Sequence, residues 1–262
     1  MLKILVRFYK KIVLEIKYQI FKLVLGKNFR INSLIIGSQR CGTSFMIKFL
    51  SKNSSQIVTP KNEEQLFFFN EKYDPSKNFK KYHIQFCYNF FKKKNIFSKK
   101  VFVEKTPEYC LKLSYLKRIH NYNNDIKIIF IFREPHERII SQYQLFKNLG
   151  YKESFSNFLK NDDEKTNIKY YSKYSDIQYK INKLFKRKNV LYINFKDLNN
   201  LSLINKISKF LEIKFNKLPT KNKKENSFSK KFPSSLNYKS IINNIYKNEL
   251  KKDFQKFLKS YK

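Results

Sequence analysis

Four short apolar runs alternate with helical segments along this chain, and this alternation limits the possible folds more than any other feature. The runs are Ser33 to Ile36, Lys99 to Glu104, Lys127 to Phe132 and Val190 to Phe195. Three of the four are continuously apolar, which is typical of strands buried on both faces of a parallel sheet. The order strand, helix, strand predicts a three-layer α/β fold with a mostly parallel sheet.

Helical patterns fill the intervals between these runs. Helices are predicted at 44–52, 109–122, 136–148, 174–187, 200–211 and 240–259. The Lys- and Asn-rich stretch 216–231 is predicted to be a mobile loop. Ligands of such folds bind at the carboxyl ends of the strands, so the residues just after each run are the first candidates for chemistry.

Residues 1–25 have the pattern of a basic amphipathic helix. At 100° per residue, one face collects Leu5, Tyr9, Ile12, Ile16, Ile20 and Leu23, and the other collects Lys3, Arg7, Lys10, Lys11, Lys17 and Lys22. Charges interrupt the apolar stretches too often for a signal peptide or a membrane span. We predict a helix at 1–28 before one domain at 29–262, with the helix lying on an anionic membrane as a peripheral contact, or packing on the domain or a second subunit.

The formal net charge of +36 is the most conspicuous property of the composition. Lys, Asn, Ile, Phe and Tyr dominate, whereas Ala and Trp are absent, which indicates a nucleotide bias that places Lys on the surface rather than selection for a polyanionic partner. Lys is spread over the whole chain instead of along one stripe. The net charge makes a nucleic-acid-binding module an alternative hypothesis. Because Lys is not confined to one stripe, no specific nucleic-acid partner is expected.

The cysteines Cys41, Cys87 and Cys110 are odd in number and lack CxxC or His-flanked spacing. This pattern indicates neither a disulfide framework nor a zinc site. Reduced thiols predict a cytoplasmic protein, and we expect no metal.

A glycine-containing segment lies between the first run and the helix that follows. It reads Gly37-Ser38-Gln39-Arg40-Cys41-Gly42-Thr43-Ser44 and holds two of the four glycines of the chain. The backbone N–H groups of such a loop and the following helix N-terminus bind phosphate or sulfate oxygens. The spacing resembles a Walker A loop, but Thr43 replaces the nucleotide-binding Lys, which disfavours a divergent P-loop kinase. Arg40 supplies the positive charge instead; the alternative is a purely structural glycine turn.

A second candidate anion site follows the third apolar run. The run ends directly in Arg133, and Ser141 lies about two helical turns further on. A guanidinium and a hydroxyl form a good phosphate site because the planar fork offers two charge-assisted hydrogen bonds. Arg40, Arg133 and Arg138 are three of only seven Arg in a chain with 49 Lys. This bias indicates chemistry that Lys cannot replace.

Together these segments resemble the sulfotransferases that use 3′-phosphoadenosine 5′-phosphosulfate (PAPS). The loop 37–44 resembles the family's 5′-phosphosulfate loop, and the segment Arg133 to Tyr143 resembles its 3′-phosphate motif. The segment Val103 to Tyr109, with Glu-Lys-Thr-Pro-x-Tyr, matches the heparan-sulfate-type branch, and Glu63 to Phe68 resembles that branch's substrate-cleft segment. The resemblance covers roughly residues 31–260, and the ordered occurrence of several motifs makes it specific.

The resemblance implies a P-loop-like sulfotransferase that moves a sulfuryl group from PAPS to a hydroxyl or amine of a glycan or other small acceptor. It implies that Arg40 and the loop amides hold the 5′-phosphosulfate, and that Arg133 and Ser141 hold the 3′-phosphate. Lys105 would stabilise developing charge or orient the acceptor, and Arg40 is predicted to act in catalysis as well as in donor binding. No metal is required because the protein supplies the cations.

Glu64 is the predicted general base of this reaction. Neighbouring phenylalanines would desolvate its carboxylate and raise its pKa toward the working pH. Glu63 competes for the role, and for either residue an exposed loop carboxylate is the alternative. Two departures from the family pattern stand out: Arg40 replaces the usual Lys, and Leu66 replaces a His.

Five further residues are weighed against an anion-binding or catalytic role. Lys230 and Lys231 match the position of the family's late basic loop, although a plain surface position is favoured in a chain this rich in Lys. His83, His120 and His136 are predicted to be surface or capping residues.

Overall fold

The structure is a computed structural model that describes residues 2–26, 29–63, 65–70, 79–93, 95–163, 166–198, 200–216 and 235–261. Its strands are β1 (Ser33–Ile35), β2 (Ile57–Val58), β3 (Val101–Lys105), β4 (Lys127–Phe132) and β5 (Val190–Asn194). They form one sheet in the order β2-β3-β1-β4-β5, and every neighbouring pair is parallel. The predicted parallel α/β fold is confirmed.

Helices cover both faces of this sheet. Those of the described residues are α1 (Leu2–Leu25), α2 (Thr43–Asn53), α3 (Phe79–Phe90), α4 (Leu113–Tyr122), α5 (Pro135–Asn148), α6 (Phe155–Lys160), α7 (Tyr174–Asn182), α8 (Leu201–Leu211), α9 (Ser235–Ile245) and α10 (Glu249–Ser260). Short 3₁₀ turns lie between them, including one at Pro107–Cys110 directly after β3.

Several boundaries differ from those predicted from the sequence. The predicted helix 240–259 is two helices, because Lys247 and Asn248 have left-handed backbone conformations with φ of 46° and 59°. The predicted helix 109–122 starts as a 3₁₀ turn, and the helix predicted at 174–187 ends at Asn182. The short β2 and the helices α3 and α6 were not predicted. Most of the predicted loop at 216–231 lies outside the described residues.

The strand side chains alternate between two cores, and this alternation produces the three layers. Leu34, Ile36 and Phe130 face an aromatic cluster built with α1, α3, α4, α7 and α10. Ile35 and Ile129 face the opposite way, into an aliphatic cluster built with α2 and α8. A third cluster, outside the sheet, joins α5, α6 and α9.

The central position of β1 determines where a ligand can bind. The chain runs from β1 to β2 and β3 on one side, then crosses to β4 and β5 on the other. In parallel sheets a binding crevice forms at such a crossing, beyond the carboxyl ends of the strands. In the register of the sheet, Ile35 pairs with Lys105 and with Ile129. The residues that follow β3, β1 and β4 therefore meet at one edge.

The helix α1 packs on the domain through the side opposite its predicted apolar face. Phe21 is fully buried in the aromatic core and Tyr18 is nearly so, whereas the predicted apolar face, from Leu5 to Leu23, is exposed. The domain boundary at residues 28 and 29 stays a prediction. None of the described helices is both long and apolar enough to cross a bilayer.

Candidate active site

The loop between β1 and α2 follows a path that requires glycine at two positions. At Gly37 an added Cβ would lie 2.2 Å from the backbone nitrogen of Ile131, a contact that no side chain allows. Gly42 has φ of 87°, and a Cβ there would lie 2.5 Å from Cδ1 of Leu198. The glycines let the loop run against β4 and the segment after β5, so its backbone stays close to the sheet edge.

The loop leads directly into the N-terminus of α2. The helix begins at Thr43, and Gly42 supplies no side-chain cap. The N–H groups of a first helical turn have no acceptor within the helix, and they carry the positive end of the helix dipole. Ser38 donates to the carbonyl of Tyr171 at 2.5 Å, so its hydroxyl is used by the fold. The N–H groups of Ser38 and Cys41 are also used, since they donate to the carbonyls of Ile131 and Ser38. The N–H groups of the first turn of α2 are therefore the main ones available to an anion.

The thiol of Cys41 also points into the protein. Its Sγ lies 3.7 Å from the hydroxyl of Tyr174, and burial raises the pKa of the thiol. Cys41, Cys87 and Cys110 are all free and buried. Within the described part of the chain, no group of three or more His, Cys, Asp or Glu side chains is placed to hold a metal ion.

Arg40 connects the loop to α5. Its backbone has φ of 68°, and both its Nε and its Nη2 donate to Oγ of Ser141 at 3.3 Å. The structure thus brings together two residues that are 101 positions apart and that the sequence placed in two separate anion motifs.

Arg133 follows β4 at the same edge of the sheet. Its guanidinium lies 4.4 Å from the centre of the Phe195 ring, and its Nε donates to Glu137 at 3.1 Å. The hydroxyl of Tyr174 accepts from the backbone N–H of Arg133 at 3.4 Å. The Phe195 ring and the backbone contact with Tyr174 hold the guanidinium of Arg133 beside the loop.

The charges of two other arginines act on Arg40. Burial lowers the pKa of the Arg40 guanidinium, and the charges of Arg133 and Arg138 lower it further. A bound anion would relieve this repulsion. The arrangement therefore favours a multiply charged phosphate or sulfate ester.

Arg138 contributes charge but does not belong to the binding surface. Its side chain is fully buried, so it lies away from the surface that a ligand can reach. The guanidinium donates to three neutral acceptors: Ser172 Oγ at 2.6 Å, Gln142 Oε1 at 2.7 Å and the Ile168 carbonyl at 2.6 Å. It fastens α5 to the segment before α7.

Lys105, at the end of β3, reaches the start of α2. Its Nζ donates to Oγ of Ser44 at 3.2 Å. Burial lowers the pKa of Lys105, and the nearby charge of Glu63 acts in the opposite direction. Glu63 has a left-handed backbone, with φ of 56°, and accepts a hydrogen bond from Ser51 of α2. Glu64, the predicted base, lies outside the described residues.

Glu104 is a buried carboxylate to which the sequence assigned no role. It accepts hydrogen bonds from the hydroxyls of Thr106 at 2.7 Å, Tyr109 at 2.8 Å and Tyr82. Burial raises its pKa, and the backbone N–H of Leu66 is a further hydrogen-bond partner. Tyr82 lies on α3, which the sequence did not predict, so only the Glu-Lys-Thr-Pro motif pointed toward this cluster.

Two of the three histidines are buried instead of on the surface. His83 contacts the hydroxyl of Tyr122 at 2.8 Å, and burial lowers the pKa of His83 to about 4. His136 lies between Glu134 and Asn243, close to the start of α5. Both therefore connect elements of the fold.

The fold and site together define an α/β protein in which a glycine loop after β1 and the arginine that follows β4 lie at the same edge of a parallel sheet. The family described as "Sulfotransferase domain" matches residues 30–260. The chain belongs to this family, and the predicted enzyme class is confirmed at the family level.

Individual relatives and structures agree with this assignment. Heparan sulfate glucosamine 3-O-sulfotransferase 5 from Mus musculus and the protein of the same name from Homo sapiens are each 29% identical over 113 residues. The match covers 42% of this chain and 29% of each relative, so the chain spans less than a third of their length. A sulfotransferase from Alicyclobacillus acidocaldarius has the same fold, with a TM-score of 0.67 at 16% identity, covering 89% of this chain and 96% of that one.

Proposed function

We propose that this protein transfers a sulfuryl group from PAPS to a hydroxyl or amine of a glycan or other small acceptor. The observation that carries the proposal is the hydrogen bond of Arg40 to Ser141 beside the glycine loop, where the charge of Arg133 also acts on Arg40. Two guanidinium groups at the carboxyl ends of β1 and β4 match a donor with a phosphosulfate at one end and a 3′-phosphate at the other.

Each part of the proposed donor site has a distinct task. Arg40 and the backbone amides at the start of α2 hold the 5′-phosphosulfate, and Arg133 with Ser141 holds the 3′-phosphate. Arg40 donates to Oγ of Ser141, so the two proposed subsites adjoin. An anionic donor oxygen makes a stronger hydrogen bond with a guanidinium than a neutral hydroxyl does.

The proposed reaction forms one bond at sulfur and breaks another. The acceptor oxygen or nitrogen attacks sulfur, the bond from sulfur to the bridging phosphate oxygen breaks, and 3′,5′-ADP leaves. The acceptor proton passes to a carboxylate base, Glu64 in this proposal. Lys105 lies between Ser44 and Glu63, where its charge supports the oxygens of the transferred group.

The donor site is tested by calorimetric binding of 3′,5′-ADP and ATP to the full chain. We expect 3′,5′-ADP to bind more tightly, since only this ligand has a 3′-phosphate. Arg40→Ala and Arg133→Ala should each weaken its binding about 10- to 100-fold, as expected for loss of charge-assisted hydrogen bonds. Arg187→Ala is the matched control, because Arg187 precedes β5 at the opposite end of the sheet. Equal binding of both nucleotides, or unchanged binding by Arg133→Ala, would refute the donor assignment.

The base is tested by comparing Glu64→Gln with Glu63→Gln. Glu64→Gln should retain 3′,5′-ADP binding and lose turnover of labelled donor, whereas Glu63→Gln should keep measurable turnover. The reverse pattern would make Glu63 the base. Normal turnover in both variants would rule out either carboxylate in this role.

The acceptor and the location of the protein belong to the same proposal. A glycan acceptor is suggested by the curated relatives, whose name specifies heparan sulfate glucosamine. A screen of hydroxylated and amino acceptors with labelled PAPS identifies the class. A cytoplasmic location agrees with three free, buried cysteines and is tested by localising the tagged chain.

A further inference from the structure

A continuous row of apolar side chains on α1 faces away from the rest of the protein. Its members are Leu5, Phe8, Tyr9, Ile12, Ile16, Ile20 and Leu23, and all of them are exposed, Leu23 to 82%. At 100° per residue they lie within an arc of about 120°. We call these seven residues the α1 row. Large apolar side chains exposed together in this way mark an interaction surface.

The orientation of the row is determined by the opposite side of the helix. Phe21 is fully buried and makes edge contacts with Phe29 and Phe90 at 5.1 Å between ring centres. Tyr18 is 7% exposed and packs beside it. Because these rings anchor α1 to the aromatic core, the helix cannot turn its row inward without losing that packing.

Basic side chains surround the row. Lys11, Lys17 and Lys22 lie on α1, whose one acidic residue, Glu15, pairs with Lys80 of α3 at 2.8 Å. Lys92, which follows the end of α3, continues this basic surface, with its Nζ 4.1 Å from the ring centre of the exposed residue Tyr88.

We propose that α1 binds the surface of an anionic lipid bilayer, with its row inserted between head groups and its lysines on the lipid phosphates. An apolar face flanked by cations is the pattern of helices that lie in the plane of a membrane interface. From Leu5 to Leu23 the row extends about 27 Å, long enough for every member to reach the interface when the helix lies flat.

Charge decides between this occupant and a second copy of the chain. Two copies facing each other through their rows would bring together two chains of +36 each, and their lysines would repel across the contact. A bilayer that contains acidic lipids offers the complementary charge.

The proposal is tested by sedimenting the full chain with vesicles of phosphatidylcholine, with and without about 30% phosphatidylserine. We expect binding to the anionic vesicles that exceeds binding to neutral ones at least tenfold. The double variant Ile12→Gln/Ile16→Gln should reduce binding to anionic vesicles at least tenfold, since both side chains insert in the proposed complex. Phe97→Gln/Leu149→Gln removes two apolar side chains elsewhere that are more exposed than Ile12 and Ile16, and it should bind like the parent.

Three results would overturn the proposal. They are equal binding to neutral and anionic vesicles, unchanged binding of Ile12→Gln/Ile16→Gln, and a dimer in light scattering that this variant dissociates. The last result would assign the row to a second copy. Binding of 3′,5′-ADP, measured on the same variant, should equal that of the parent, so failure of membrane binding and failure of the proposed sulfotransferase function are distinguishable.

Discussion

Glu104 and Lys105 are adjacent in the chain, and the pleat of β3 sends them to opposite faces of the sheet. Lys105 points toward α2 and the glycine loop, where it contacts Ser44. Glu104 points into the aromatic core and accepts hydrogen bonds from three hydroxyls and from the backbone N–H of Leu66. The Glu-Lys-Thr-Pro motif therefore supplies both Lys105, a cation at the candidate site, and Glu104, the buried acceptor that holds the segment after Glu63 in place.

We predict that Glu104→Gln lowers the free energy of unfolding by about 2–4 kcal/mol, because hydroxyl donors lose a buried acceptor. Glu212→Gln is the matched control. Glu212 also has two partners, Lys99 and Lys127, but is exposed, and exposed ion pairs contribute little. Urea denaturation of the three proteins provides the comparison. Equal stability of Glu104→Gln and Glu212→Gln would contradict the structural role of the cluster.

At the scale of elements, His136 joins the start of α5 to α9. The ring nitrogens contact Glu134, which also caps α5 by accepting from the N–H of Glu137, and Asn243 of α9. The hydrogen bond with Glu134 raises the pKa of His136 above its ordinary value of 6.5, although burial opposes this. Burial acts to raise the pKa of Glu134. Its hydrogen bonds with His136 and Glu137 outweigh this effect and lower the pKa below its ordinary value of 4.5.

These shifts predict a pH dependence of stability. A raised His pKa stabilises the fold below pH 6.5 and loses that contribution as pH rises through the folded-state value. The lowered Glu134 pKa contributes above pH 4.5 and is lost in more acidic solution. We expect the melting temperature to fall by a few degrees from pH 6 to pH 8.5. His136→Gln should flatten this slope and His120→Gln should retain it; parallel slopes in all three proteins would refute the assignment.

At the scale of the whole molecule, the charge of +36 forms a diffuse field around a few specific contacts. Such a field raises the association rate of anionic ligands and is screened by salt. We predict that the association rate of 3′,5′-ADP falls about three- to tenfold between low and high ionic strength, whereas that of uncharged adenosine stays constant. Stopped-flow binding measures both rates. A salt-independent rate for 3′,5′-ADP would show that the field has no part in capture.

The sequence predicted the long elements best. β4 has its predicted bounds, and α2, α5 and α8 differ from theirs by one residue at most at either end, because a buried strand and an amphipathic helix leave clear periodicities. It missed β2, which has two residues, and α3, although Phe79, Tyr82, Phe86 and Phe90 lie on one face at helical spacing. No glycine or proline marks the break between α9 and α10 at Lys247 and Asn248.

Local patterns in the sequence are enough to predict the parallel sheet and the loop 37–44, because apolar periodicity and glycine spacing are local properties of the chain. The family follows from the resemblance of several motifs that occur in order. Only the tertiary structure decided that Arg40 reaches Ser141, that Arg138 is buried and that α1 packs through Phe21. These outcomes depend on strand order and on helix packing between residues far apart in the chain. No local pattern encodes that α1 meets the core through Tyr18 and Phe21, which lie on the side of the helix that carries its lysines.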